Sequence, residues 1–96
     1  MKLITEKKLN DYHKTTKKAL SKVKIEKKLT KKDQKTANIY LDMAKNYYSD
    51  SLYFKKQKDF VNSFAAVNYA HAWLDAGAII GLFDVEKDNI LFTVDS

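Results

Sequence analysis

The chain has no cysteine, no proline and no arginine, and only two glycines among its 96 residues. Each absence excludes something. Without cysteine there are no disulfides, no thiolate metal ligands and no thiol nucleophile. Without proline, and with so little glycine, an all-β fold lacks the turn residues it needs. Without arginine the planar fork that grips phosphate at two points is missing, and all 18 basic residues are lysines. The longest uncharged apolar run, Ala76–Phe83, falls far short of the ~20 residues that span a bilayer. The opening stretch, MKLITEKKLN, has no apolar centre of the kind a signal peptide carries. The expectation is a cytoplasmic protein with no membrane partner.

What is present suits one soluble domain over residues 1–96, with apolar content enough for a single core. The charge is lopsided. Residues 1–35 hold 13 lysines and 4 acids, a net of +9, and residues 36–96 hold 5 lysines and 8 acids, a net of −3.

Three helical segments account for most of the chain. The first is predicted over 5–28, with Thr5 as its N-cap. Leu9, Tyr12, Thr16, Ala19, Leu20 and Val23 recur at 3–4 spacing and form one seam, with His13 at its edge. The second is predicted over 31–55. Thr30 followed three residues on by Asp33 resembles a capping box. Ala37, Tyr40, Leu41, Met43, Ala44, Tyr47, Tyr48, Ser51, Leu52 and Phe54 share its apolar half. The third is predicted over 59–80, with Asp59 as N-cap and Gly81 in the left-handed position that ends a helix. Its apolar residues cover well over half its circumference. One packed face needs only ~100°, so this helix should touch two neighbours and form the centre of an antiparallel, up-down-up three-helix bundle. Its alanines, among them Ala65, Ala66, Ala72 and Ala76, would let those neighbours approach closely. In the tail, 83–96, Asp84–Asn89 reads as a turn. Ile90, Leu91, Phe92 and Val94 favour an extended strand that either docks on the bundle or pairs with a second chain.

The segment Tyr47-Tyr48-Ser49-Asp50, then Tyr53-Phe54, Asp59-Phe60 and Ala65-Ala66, leads into Tyr69-Ala70-His71-Ala72-Trp73-Leu74-Asp75-Ala76-Gly77 and ends at Gly81-Leu82-Phe83. It resembles an archaeal family of uncharacterised small helical proteins, the domain of unknown function 357. The likeness covers residues 5–85, extends to Leu91-Phe92-Thr93-Val94, and is most specific in YAHAWLDAG. It implies a spectrin-repeat-like three-helix bundle and assigns no catalytic residue.

Three constellations remain. Asn68, His71 and Asp75 form one polar stripe on the third helix. The plain reading is a His–Asp pair on the rim, or a buried pair fixing helix register. The pointed reading is a partner-binding stripe or, remotely, a metal-dependent or acid–base enzyme using His71 and Asp75. A metal needs a third protein ligand that the spacing does not supply, so no metal, cofactor or catalytic residue is assigned. Tyr40, Tyr47, Tyr48 and Tyr69 read as core, whereas Ile39 and Tyr53 fall off the apolar half and suit surface contacts. Lys14, Lys17, Lys18, Lys22, Lys24, Lys27, Lys28, Lys31, Lys32 and Lys35 form a basic surface able to hold nucleic acid electrostatically. No base-reading motif accompanies it. The favoured expectation is a non-catalytic module that binds protein, either itself or another. Nucleic-acid binding is the alternative.

Overall fold

Local capping chemistry sets where each helix begins in the computed structural model, which describes residues 4–94. Helix α1 spans Glu6–Lys22, α2 Lys31–Lys56 and α3 Phe60–Ile79. The Thr5 hydroxyl accepts from the Lys8 amide, the Thr30 hydroxyl from the Asp33 amide, and the Asp59 carboxylate from the Asn62 amide. Each satisfies one of the backbone donors a helix start leaves unpaired. The far end of α3 closes as expected. Gly81 has φ of 82°. The Leu82 amide donates to the Gly77 carbonyl at 2.9 Å and the Gly81 amide to Ala78 at 3.3 Å, the paired bonds of a Schellman cap. The outermost residues of the single-domain reading, 1–3 and 95–96, lie outside the described residues.

Helix α3 packs against both α1 and α2, which scarcely meet each other, so the all-α, up-down-up three-helix bundle has α3 as its shared element. Leu74 and Ala70 on α3, Ala37 and Ala44 on α2, and Leu9 and Ala19 on α1 are fully buried. Tyr40 meets Trp73 edge-on at 5.0 Å between ring centres, and Tyr47 stacks on Tyr69 at 5.4 Å. These contacts bind α2 to α3 along their length.

The first helix stops six residues earlier than its sequence pattern predicts. The Val23 amide still donates to the Ala19 carbonyl, but the Val23 backbone is already extended, with ψ of 135°. Two short strands explain the change. Strand β1, Lys24–Ile25, pairs antiparallel with β2, Phe83–Asp84, and the Glu26 amide donates to the Leu82 carbonyl at 2.9 Å. The β-branched Val23 and Ile25 suit this geometry, and the pairing seats Phe83, 4% exposed, in the core.

The tail departs from the predicted strand. Val85–Asp88 is a tight turn closed by the Asp88 amide on the Val85 carbonyl, with both central residues, Glu86 and Lys87, left-handed. That is the type I′ form. The Asp88 carboxylate then accepts from the amides of Ile90 and Leu91, each at 3.0 Å. This side-chain cap winds 89–92 into a turn and overrides the β preference of Ile90, Leu91 and Phe92. The tail lies on its own bundle, with Phe92 and Val85 buried in the core cluster.

Candidate functional site: the tail crossing and the outer face of α3

Of the polar stripe on α3, two members hold the tail. His71 Nε2 lies 2.6 Å from the Leu91 carbonyl, and Nδ1 lies 3.0 Å from the Thr16 hydroxyl. A carbonyl only accepts, so Nε2 carries the proton and Nδ1 accepts from Thr16. The ring therefore ties α1, α3 and the tail together. One turn on, Asp75 accepts from the Thr93 amide at 2.9 Å and from its hydroxyl at 3.3 Å. His71 and Asp75 stand 3.9 Å apart, too far for a hydrogen bond. Asn68 is exposed and its amide returns to the Phe64 carbonyl of its own helix. An open crevice of about 700 Å³ lies beneath the tail on one side of the His71–Asp75 pair, and a groove of about 310 Å³ between α1 and α3 on the other. Both ring nitrogens are engaged within the chain, and each carboxylate oxygen meets Thr93 while keeping a second acceptor site. Among the described residues no three His, Asp or Glu side chains converge.

A second crossing point reinforces the first. Lys22 Nζ sits 3.0 Å from Asp88 and 3.9 Å from Glu86. Lys22 is therefore a tail contact and leaves the predicted basic surface. The amide of Leu91, the Lys22 hydrogen bond and the Ile90 amide together hold the Asp88 carboxyl below its usual range, against a smaller opposing effect of desolvation. A lowered folded-state pKa stabilises the fold above the ordinary carboxylate range, and the gain disappears as pH falls through the lowered value. Asp88→Asn is expected to flatten the acid limb of a melting-temperature profile below about pH 4. An unchanged acid limb in the variant would contradict the assignment.

The other nine candidate lysines, Lys14, Lys17, Lys18, Lys24, Lys27, Lys28, Lys31, Lys32 and Lys35, are exposed. The exposed tyrosines are Tyr12 on α1, Tyr53 on α2 and Tyr69 on α3, and Tyr12 packs against Phe64.

A buried polar network went unread in the sequence. His13, 5% exposed, donates from Nδ1 to the Leu9 carbonyl at 2.9 Å, and its Nε2 meets the Ser51 hydroxyl at 3.0 Å. Ser51 also lies 2.6 Å from the Tyr48 carbonyl, and the Ser63 hydroxyl donates to the Ser51 carbonyl at 2.6 Å. The network joins all three helices and leaves no buried side-chain polar atom unpaired among the described residues. Burial raises the Tyr48 phenol above its ordinary range. Tyr12 takes the rim instead, against Phe64 at 4.8 Å. The signal was the pair of serines at inward positions of α2 and α3, since small hydroxyls inside an apolar face need a polar partner.

The outer face of α3 is the molecule's least ordinary surface. Val61, Ala65, Asn68, Ala72, Ala76 and Ile79 follow one another along the side directly opposite the core, flanked by Tyr69 and Ile80. Val61 is 70% exposed, Ile79 61%, Tyr69 59% and Ile80 58%. The solvent side of a surface helix normally carries charge. Here the helix has a single charged residue, Asp75, which is engaged by the tail. Ala65 and Ala72, predicted to sit under neighbouring helices, and Tyr69, predicted as core, belong to this exposed face. Two faces of α3 are covered, and the third is apolar and open.

The sequence profile of a family described as "Protein of unknown function (DUF357)" matches residues 11–83. No curated protein and no solved structure matches the chain.

Proposed function

Because the chain belongs to the DUF357 family, whose description names no activity, we propose its role from its own surfaces: it is a non-catalytic helical module that binds protein through the outer face of α3. The observation that carries this reading is the uncharged stripe from Val61 to Ile80. A helix apolar all round is a helix with neighbours on every side, and one side of α3 lacks its neighbour.

Magnitudes limit the kind of binding. Covering the exposed parts of Val61, Tyr69, Ile79 and Ile80 contributes roughly 4–6 kcal/mol at about 1–1.5 kcal/mol each. Association costs about 4 kcal/mol at the least. The stripe alone therefore supports weak binding, and a stable complex must cover further apolar surface beside it.

A photo-crosslinking amino acid at Tyr69, introduced in the native cell, is expected to capture one or a few discrete protein adducts. The same probe at Asn38, on the exposed side of α2, is expected to capture none. A Tyr69 probe that yields no adduct beyond the Asn38 background removes the proposal.

A further inference from the structure

The residue sizes along the open face of α3 read nearly the same in both directions. Taken about a point level with Ala70, Val61 mirrors Ile79 and Asn68 mirrors Ala72, while Ala65 and Ala76 fall one residue out of register with each other. Branched residues stand at the ends and small ones near the middle. A two-fold interface requires such self-complementarity, because each position must fit its mirror partner on the other copy. A heterologous partner places no such demand on the pattern.

We propose that the occupant of this face is a second copy of the chain, its α3 lying antiparallel across the first with the two-fold axis level with Ala70. The inference rests on the protein-binding reading of the same face and names the partner. Small residues at the crossing let the helix axes come to the close end of the usual 8–10 Å spacing, and Val61 then packs beside Ile79 of the other copy at each end.

Charge favours the antiparallel arrangement. Lys8 Nζ lies 5.9 Å from the ring centres of both Tyr12 and Phe64, at the edge where α1 borders the stripe. In the proposed register Phe64 is level with residue 76 of the other copy, so Lys8 of each chain comes to the level of the opposite Asp75. Asp75 has no lysine partner in its own chain among the described residues. A parallel arrangement turns that edge toward α2 instead and aligns the two helix dipoles unfavourably.

The absence of native cysteine makes the test clean. Ala65→Cys and Ala76→Cys variants are prepared separately and oxidised alone and mixed, at about 100 μM, a concentration at which weak association is populated. Equal positions in the two copies are separated by roughly 15 Å along the axis, at ~1.5 Å per residue, beyond the ~7 Å limit between Cα atoms of a disulfide. The mixture is expected to yield a disulfide-linked dimer and each variant alone to yield little. Ala72→Glu, an exposed change that should leave the circular dichroism spectrum intact, is expected to abolish the dimer seen by sedimentation. Self-linking of Ala65→Cys as strong as the mixed product would overturn the antiparallel register. A strict monomer at that concentration with no mixed disulfide would overturn the homodimer. Capture of a different protein by the Tyr69 probe, alongside a monomeric chain, would overturn the homodimer and leave the broader protein-binding reading standing.

Discussion

Gly77→Val is expected to destabilise the protein by about 3 kcal/mol, the upper part of the usual cost of overpacking a core, and to lower the melting temperature by roughly 12–24 °C in a domain this small. The reason is a contact and not a backbone angle. Gly77 lies inside α3, where helical geometry suits any residue, and a Cβ built there would come to 2.2 Å from the nearest ring carbon of Phe83. Phe83 cannot step aside easily. It is 4% exposed, and its backbone is held by the pairing of β2 with β1. The helix-propensity gain of valine over glycine is only about 0.3–0.5 kcal/mol and is outweighed. The second glycine supplies the contrast. Gly81 has open space around it but a left-handed backbone, so Gly81→Ala should cost only ~1–2 kcal/mol. Chemical denaturation of both variants measures the difference. Equal losses at the two positions would show that Phe83 does not fill the notch at Gly77.

Phe92→Ala is expected to cost about 3–4 kcal/mol by leaving a cavity where a 3%-exposed ring now sits. Its larger effect is local. The ring sits beside His71, at 6.3 Å between ring centres, on the same stretch of tail that His71 and Asp75 hold through Leu91 and Thr93. These polar bonds contribute about 1 kcal/mol each, too little to keep the tail ordered once the apolar anchor is gone. In Phe92→Ala the Thr93 amide should therefore exchange with solvent far faster than the Ala70 amide in the core, and the chain should become sensitive to proteolysis near Asn89. Retained protection at Thr93 would mean that the His71 and Asp75 bonds anchor the tail by themselves.

The two variants address the same architectural fact from opposite sides. Residues 83–94 complete the core, where Phe83, Val85 and Phe92 join Ala19 of α1, Ala37 and Ala44 of α2 and Leu74 of α3. His71 and Asp75, the most suggestive pair in the sequence, face that segment. Side chains of these types at i, i+4 on a helix are equally suited to holding a ligand and to holding a carbonyl and an amide of the same chain. Spacing along one helix does not distinguish the two, because the deciding partner lies about 20 residues away in sequence. The same holds for Lys22, one basic residue among many until Asp88 is placed beside it.

The sequence by itself determined whatever is encoded within a few residues. Thr5, Thr30 and Asp59 begin the helices, Gly81 and Leu82 end α3, and the breadth of the apolar surface on α3 gives it two neighbours. The family was legible for the same reason, since its motifs lie within the α2–α3 hairpin. Only the tertiary structure decided the rest. Lys24–Ile25 left the helix because Phe83–Asp84 offered a strand partner, His13 turned inward because Ser51 was there to meet it, and the tail wound into a turn because Asp88 could cap it while Phe92 filled the core. Each of these is settled by a partner far along the chain or by a cavity to be filled, and local patterns carry no record of either.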